Sequence, residues 1–255
     1  MVATPYTKYM TAVMDVDMAA AVLVATEARA DALGVPTERR VYLRGSGAAE
    51  EPPTMAARPD LWRSPAMAAS VASALGPVAA DEVAHLDLYS CFASSLEFAT
   101  DILGASGDRQ LTVTGGLPYH GGPGSNYGTH ALAAMVETLR ADPGSLGLVT
   151  GIGMHMTSHT AALLSTRQGP VAPPSGPPEL PTVPVATSVD GEAVVQAWST
   201  TYGRQGPEWT ALIAEGTDGS RCYARLEEPP DEGVDLSGRT VTVVTGEHRI
   251  TTATL

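Results

Sequence analysis

The order of apolar and polar positions divides the first 166 residues into alternating strand-like and helix-like stretches. Residues 18–25 (MAAAVLVA) are an unbroken apolar run between Asp17 and Thr26, the pattern of a strand buried on both faces of a sheet. Residues 26–33 combine a capping threonine with good helix formers, and Gly34 and Pro36 stop them. Residues 41–47 alternate as a second strand. Ser64 and Pro65 open a helix with a cap and a first-turn proline. Its apolar positions Met67, Val71, Ala74 and Leu75 precede a stop at Gly76 and Pro77. A short strand over 85–89 leads to a helix over 92–103, ended by Gly104. Residues 111–114 run into a glycine-rich loop, 115–124. A helix over 125–140 carries Ala131, Met135, Val136 and Leu139 on one face. Strands over 146–150 and 156–164 close the series. Strands alternating with helices predict a layered α/β domain around a mixed, largely parallel five-stranded sheet. In such folds the loop would lie at the carboxyl ends of the strands, where ligands bind.

The pattern changes at Gln168. Residues 169–178 are proline-rich and read as an extended linker. Beyond it, strands are expected over 193–202, 210–215, 221–226 and 240–248, with an Asp-Gly turn at 217–220. The predicted organisation is therefore a layered domain over 1–167, a linker over 168–181 and a small all-β, barrel-like domain over 182–255. Residues 2–6 read as the middle of a polar loop, which points to a fragment or an alternative start.

Composition narrows the function classes. The chain has 255 residues, 44% hydrophobic and 17% charged, and a net charge of −13. That charge repels phosphate, so nucleic-acid and anionic-membrane partners are not expected from bulk electrostatics. No apolar run reaches the roughly 18 residues of a membrane span. Cys91 and Cys222 are far apart and suggest reduced thiols rather than a disulfide framework. With no leader pattern, the expected location is cytoplasmic.

The chemistry concentrates in loop 115–124 and its exit. Residues 115–127 hold five glycines, two prolines, Tyr119, His120, Asn126 and Tyr127, and close on a helix start. Glycine lets a ligand approach the backbone, and helix-start N–H groups favour negative charge. Gly115, Gly116, Gly121, Gly122, Ser125 and Asn126 are the candidate substrate-binding positions. Tyr89, His120 and Tyr127 are the candidate acid–base groups, because tyrosine and histidine can deliver a proton to an oxygen; buried core rings explain each tyrosine equally well. His130 is either a packed helix residue or a ligand. Cys91, opening a helix, is expected to have a lowered pKa. His155 and His159 lack a third ligand, so no metal site is predicted.

Several of these residues fall in the order and spacing of thiolases. Gly115, Gly116, Gly121, Gly122, Pro123 and Ser125 match the loop Gly-Gly-x-x-x-x-Gly-His-Pro-x-Gly. Thr150 to Gly153 fall on the Cys-x-Gly turn, and Tyr89 to Phe92 on Asn-Glu-Ala-Phe or His-Asp-Cys-Phe. Residues 15–21 match Ser-Asp-Gly-Ala-Ala. Residues 1–166 thus resemble the C-terminal half of a thiolase-superfamily protein. The linker and β tail resemble the thiolase-like proteins of type 1 with an additional C-terminal domain. The resemblance implies an acetyl-CoA acetyltransferase-like protein of lipid metabolism that takes an acyl-CoA thioester as substrate or ligand, with no other cofactor. It also implies a partner, either a thiolase N-terminal half or further copies of the chain. The departures concern catalysis. Gly122 replaces the activating histidine, Thr150 or Gly151 the second cysteine, and Tyr89 the Asn or His. The half bearing the nucleophilic cysteine is absent. The isolated chain is expected to be inactive as a thiolase. Two alternatives follow: a non-catalytic acyl-CoA-binding or assembly module, and a thiolase-like aldolase cleaving 3-hydroxyacyl-CoA.

Overall fold

A four-stranded mixed sheet organises Tyr9–Glu51 and Ser64–Glu179, one of two compact units into which the chain divides. The computed structural model describes every residue except 106, 107, 177, 188 and 247–250. The strands are β1 (Tyr42–Glu50), β2 (His85–Asp87), β3 (Leu146–Gly153) and β4 (Ser158–Ser165), ordered β1-β4-β3-β2. β3 and β4 form an antiparallel hairpin and β1 adds antiparallel to β4. Only β2 and β3 run parallel. The helices are α1 (Glu27–Ala32), α2 (Pro65–Leu75), α3 (Ala93–Leu103), α4 (Leu117–His120) and α5 (Tyr127–Ala141).

Both faces of this sheet are covered, so successive residues of β3 and β4 can be apolar. Leu148 and Leu163 join Met67, Val71, Ala99 and Leu103 in one buried cluster. Their chain neighbours Val149 and Leu164 join Tyr127, Ala131, Met135 and Leu139 on the other face. α2 starts where expected, because the Ser64 side chain accepts from the Met67 N–H. It lies so close to β1 that a Cβ on Gly45 would stand 2.0 Å from the Ala74 carbonyl oxygen. One on Gly47 would stand 1.9 Å from that of Ser70. At the start of α2, Glu51 Oε1 accepts from Ser64 Oγ at 2.7 Å and from Ala66 N at 3.0 Å. Buried His159 brings Nε2 within 3.2 Å of Ser64 Oγ and 3.0 Å of the Met156 carbonyl. These contacts give it a structural place.

The sheet departs from the expected one in two places. It has four strands rather than five, and its pairing is mostly antiparallel. Residues 18–25 form no strand; Leu23 and Val24 are 86% and 88% exposed. Residues 111–114 add one bridge, Thr112 to Asp87, beside β2. The ladder stops there because the Thr114 amide and hydroxyl turn onto the Asp87 carboxylate.

The second unit comprises Met1–Lys8, Pro52–Arg63 and Leu180–Leu255. Its strands are β5 (Gly191–Gly203), β6 (Gly206–Gly216), β7 (Arg221–Leu226), β8 (Thr240–Thr245) and β9 (Thr251–Thr254). They pair in the cyclic order β5-β6-β7-β9-β8, with β8 returning to β5. The β7–β9 contact is parallel, so this sheet is also mixed. Val195, Leu212, Leu236, Val241 and Val243 fill its interior. The 217–220 turn forms as expected, with Asp218 Oδ1 accepting from the Ser220 amide and hydroxyl and Gly219 at φ 78°. The expected strand over 240–248 ends at Thr245, and its positions 247 and 248 lie outside the described residues. Among the described residues, no helix is long and apolar enough to cross a membrane.

Candidate functional site

The loop 115–124 lies at the carboxyl end of β2, held there by a buried carboxylate. Asp87, the last residue of β2, is fully buried. It accepts from the Thr114 amide at 2.9 Å, the Thr114 hydroxyl at 2.8 Å and the Tyr127 hydroxyl at 2.8 Å. Thr114 Oγ1 also accepts from the Gly116 amide at 3.2 Å, and Ser90 Oγ accepts from the Leu117 amide at 3.0 Å. Strand end, loop start and first turn of α5 are thereby joined into one polar knot. Burial raises the Asp87 pKa, and the Thr114 and Tyr127 hydrogen bonds oppose the rise. Burial, reinforced by the neighbouring Asp87 charge, pushes the Tyr127 hydroxyl well above the phenolic range.

The three candidate acid–base residues come together, with unequal freedom. The Tyr127 ring contacts Tyr89 edge-on at 5.6 Å between centroids and His120 at 6.1 Å. Its hydroxyl is committed to Asp87, so Tyr127 holds the other two in place and has no proton ready to transfer. Tyr89 and His120 are half-buried. The Tyr89 amide donates to Thr150 Oγ1 at 2.9 Å, pinning the residue to β3; burial, then Cys91, raises its pKa. His120 Nε2 lies 3.4 Å from His130 Nδ1, and Asn126 Nδ2 lies 3.3 Å from His130 Nε2. The three side chains thus form one polar chain, Asn126 to His130 to His120. His130, at 8% exposure, is the orienting partner of His120.

The substrate-binding candidates divide. Gly115, Gly116 and Gly121 have φ of 99°, 83° and 106°, which side-chain-bearing residues rarely adopt. Gly115 and Ser125 are exposed and Asn126 is half-buried. Gly121 and Gly122 are covered by the chain itself. The Gly122 amide donates to the Val13 carbonyl at 2.7 Å. A Cβ on Gly121 would stand 2.8 Å from Met18 Sδ. Residues 11–13 also bridge to Phe92, Cys91 and Leu117. Cys91 departs from expectation: burial raises its pKa, outweighing hydrogen bonds near the start of α3. Among the described residues, no group of three or more His, Cys, Asp or Glu could hold a metal.

Sequence reasoning missed Asp87, Thr114 and Ser90. One signal was present, since an aspartate inside the apolar run His85-Leu86-Asp87-Leu88 needs donors wherever it is buried. The cover provided by residues 11–18 left no such mark.

No family model matches the chain, and no curated protein matches it. Among solved structures, a monomeric SCP2-thiolase-like protein type 1 from Mycobacterium smegmatis superposes with a TM-score of 0.87 at 30% identity. That match covers 100% of this chain and 59% of the other, so the chain spans less than two thirds of its neighbour's length. Human mitochondrial 3-ketoacyl-CoA thiolase gives a TM-score of 0.44 at 16% identity, over 55% of this chain and 33% of that one. On the first of these likenesses, and on the layered sheet with its loop at the carboxyl end of β2, the fold is thiolase-like.

Proposed function

We propose that this chain is a thiolase-superfamily protein that binds acyl-CoA thioesters at the carboxyl ends of β2 and β3 and does not carry out thiolysis by itself. The observation carrying this reading is that half-buried Tyr89 and His120 both pack on the Tyr127 ring beside a glycine-rich loop on a thiolase-like fold. Exposed Gly115 and Ser125 offer backbone at the mouth of the site, and the His120–His130–Asn126 chain presets the ring that faces it.

Covalent thiolysis needs a thiolate. Cys91 is held protonated by burial, and Cys222 is buried within the second unit. Thr150, which with Gly151 is one of the two positions where the resemblance puts a proton-shuttling cysteine, uses its hydroxyl oxygen to anchor Tyr89. What these residues retain is thioester binding and orientation. A second reading, aldol cleavage of a 3-hydroxyacyl-CoA, is favoured by Tyr89, whose half-buried ring stands beside the same loop.

Calorimetric titration with acetoacetyl-CoA tests the binding reading. Saturable binding is expected. His120→Ala should weaken it about 5- to 10-fold, the worth of one hydrogen bond, and Asn126→Ala by less. Absence of binding at millimolar thioester, or binding untouched by His120→Ala and Tyr89→Phe, would overturn it. Cleavage of a 3-hydroxyacyl-CoA that is lost in Tyr89→Phe would promote the aldolase.

A further inference from the structure

A cleft of about 430 Å³ lies wholly within the second unit. One wall is β5. Side chains alternate across a strand, so Trp198, Thr200 and Tyr202 share a face, and all three line the cleft. The loop 230–235, between β7 and β8, makes a second wall, and Thr4 and Pro5 add a third. Hydrogen bonds tie these walls together. The Trp198 indole N–H donates to Asp235 Oδ1 at 3.0 Å and fastens the loop to β5. The Ser237 amide donates to the same oxygen at 2.9 Å. Gly233, at φ 84°, turns the loop, and the Val234 amide closes it on the Asp231 carbonyl at 3.1 Å. The Thr4 amide donates to the Thr200 carbonyl at 2.8 Å, and Thr4 Oγ1 donates to the Tyr202 hydroxyl at 3.4 Å. The cleft is therefore preformed, and its volume is that of a small-molecule site.

We propose that this cleft binds a primary alkylammonium ion, a small organic cation with an apolar body. The lining divides as such a ligand requires. Pro5, Trp198, Tyr202 and Val234 offer apolar surface to a short carbon chain. The polar edge of Trp198 is spent on Asp235, and aromatic rings such as those of Trp198 and Tyr202 attract a cation at their faces. Asp235 supplies the opposite charge. Hydrogen bonds from the Ser237 amide and the Trp198 indole hold its carboxyl below the usual carboxylate range.

Thr200 adds an uncharged acceptor. It is 3% exposed, and its hydroxyl bonds that of Thr210 at 2.7 Å. Whichever of the two donates, the Thr200 oxygen keeps a lone pair able to accept an N–H. A primary ammonium has three N–H donors for these acceptors, whereas a quaternary one has none. Anions are turned away, because Asp231 and Glu232 also line the cleft and the chain carries a net charge of −13. A phosphate-bearing ligand such as an acyl-CoA does not suit it, so this inference is independent of the thioester reading.

Titration of the full chain with butylamine at neutral pH tests the proposal, followed by NMR at the Trp198 indole N–H. Loss of that resonance in Trp198→Phe assigns it. A saturable shift at millimolar butylamine is expected. Sodium butyrate and 1-butanol, of similar shape, should bind at least about 10-fold more weakly, since neither supplies a charge-assisted N–H donor. Asp235→Asn keeps an oxygen for Trp198 and Ser237 and removes the charge. It should weaken butylamine binding about 10-fold, the worth of a hydrogen bond to a charged group. If that variant has a lowered melting temperature, Asp231→Asn with Glu232→Gln decides, because both residues are exposed. That pair should weaken binding about 2- to 5-fold, as exposed charges do. No saturable shift, equal binding of butanol or butyrate, or undiminished binding in the folded charge-removing variant would overturn the proposal.

Discussion

Asp87 carries two opposed demands at one carboxylate. Burial favours its neutral form, whereas three donors from Thr114 and Tyr127 favour the anion, and burial prevails. A carboxyl whose folded pKa is raised gives the native state most support below its unfolded value near pH 4, and that support is lost as pH rises through the folded value. Asp87→Asn removes the titration and leaves hydroxyl donors facing an amide. It should destabilise the protein by about 1–3 kcal/mol. The stability gap between wild type and variant, measured by urea unfolding from about pH 4 upward, should narrow as pH rises. A gap independent of pH would contradict the assignment. Tyr127→Phe should act through the same knot, loosening the loop without removing a proton donor.

Between elements, the deciding contact is α2 against β1. Gly45 and Gly47 alternate onto one face, and α2 presses its backbone carbonyls against both. A methyl group at Gly47 would meet backbone, which cannot rotate away. Gly47→Ala should therefore cost about 1–3 kcal/mol or more, seen as a lowered denaturant midpoint. Unchanged stability would mean that the α2–β1 packing is looser than described. Helix starts and stops at this scale were legible from local chemistry, as with Ser64 and Pro65 opening α2, Gly104 closing α3 and Asp218-Gly219 turning β6 into β7. Strand partners were not legible. Periodicity says which residues can be buried and not what they pair with, so 18–25 reads as a strand although it forms none. β9, a stretch of three threonines and an alanine, carries too little apolar signal to announce itself. The loop was readable as a candidate site from its glycines, yet the residues that hold it, Asp87 at the end of β2 and Ser90 just beyond it, act across space.

For the whole molecule, the proposal is thioester binding on a thiolase-like fold without thiolysis by this chain alone. The most direct test is turnover by the purified chain supplied with acetoacetyl-CoA and CoA, with acetyl-CoA followed as product and binding measured in the same samples. The account predicts saturable thioester binding and no acetyl-CoA above the uncatalysed rate, since the loss of a positioned nucleophile removes the covalent route. Acetyl-CoA formation that persists in the Cys91→Ala and Cys222→Ala double variant would contradict it.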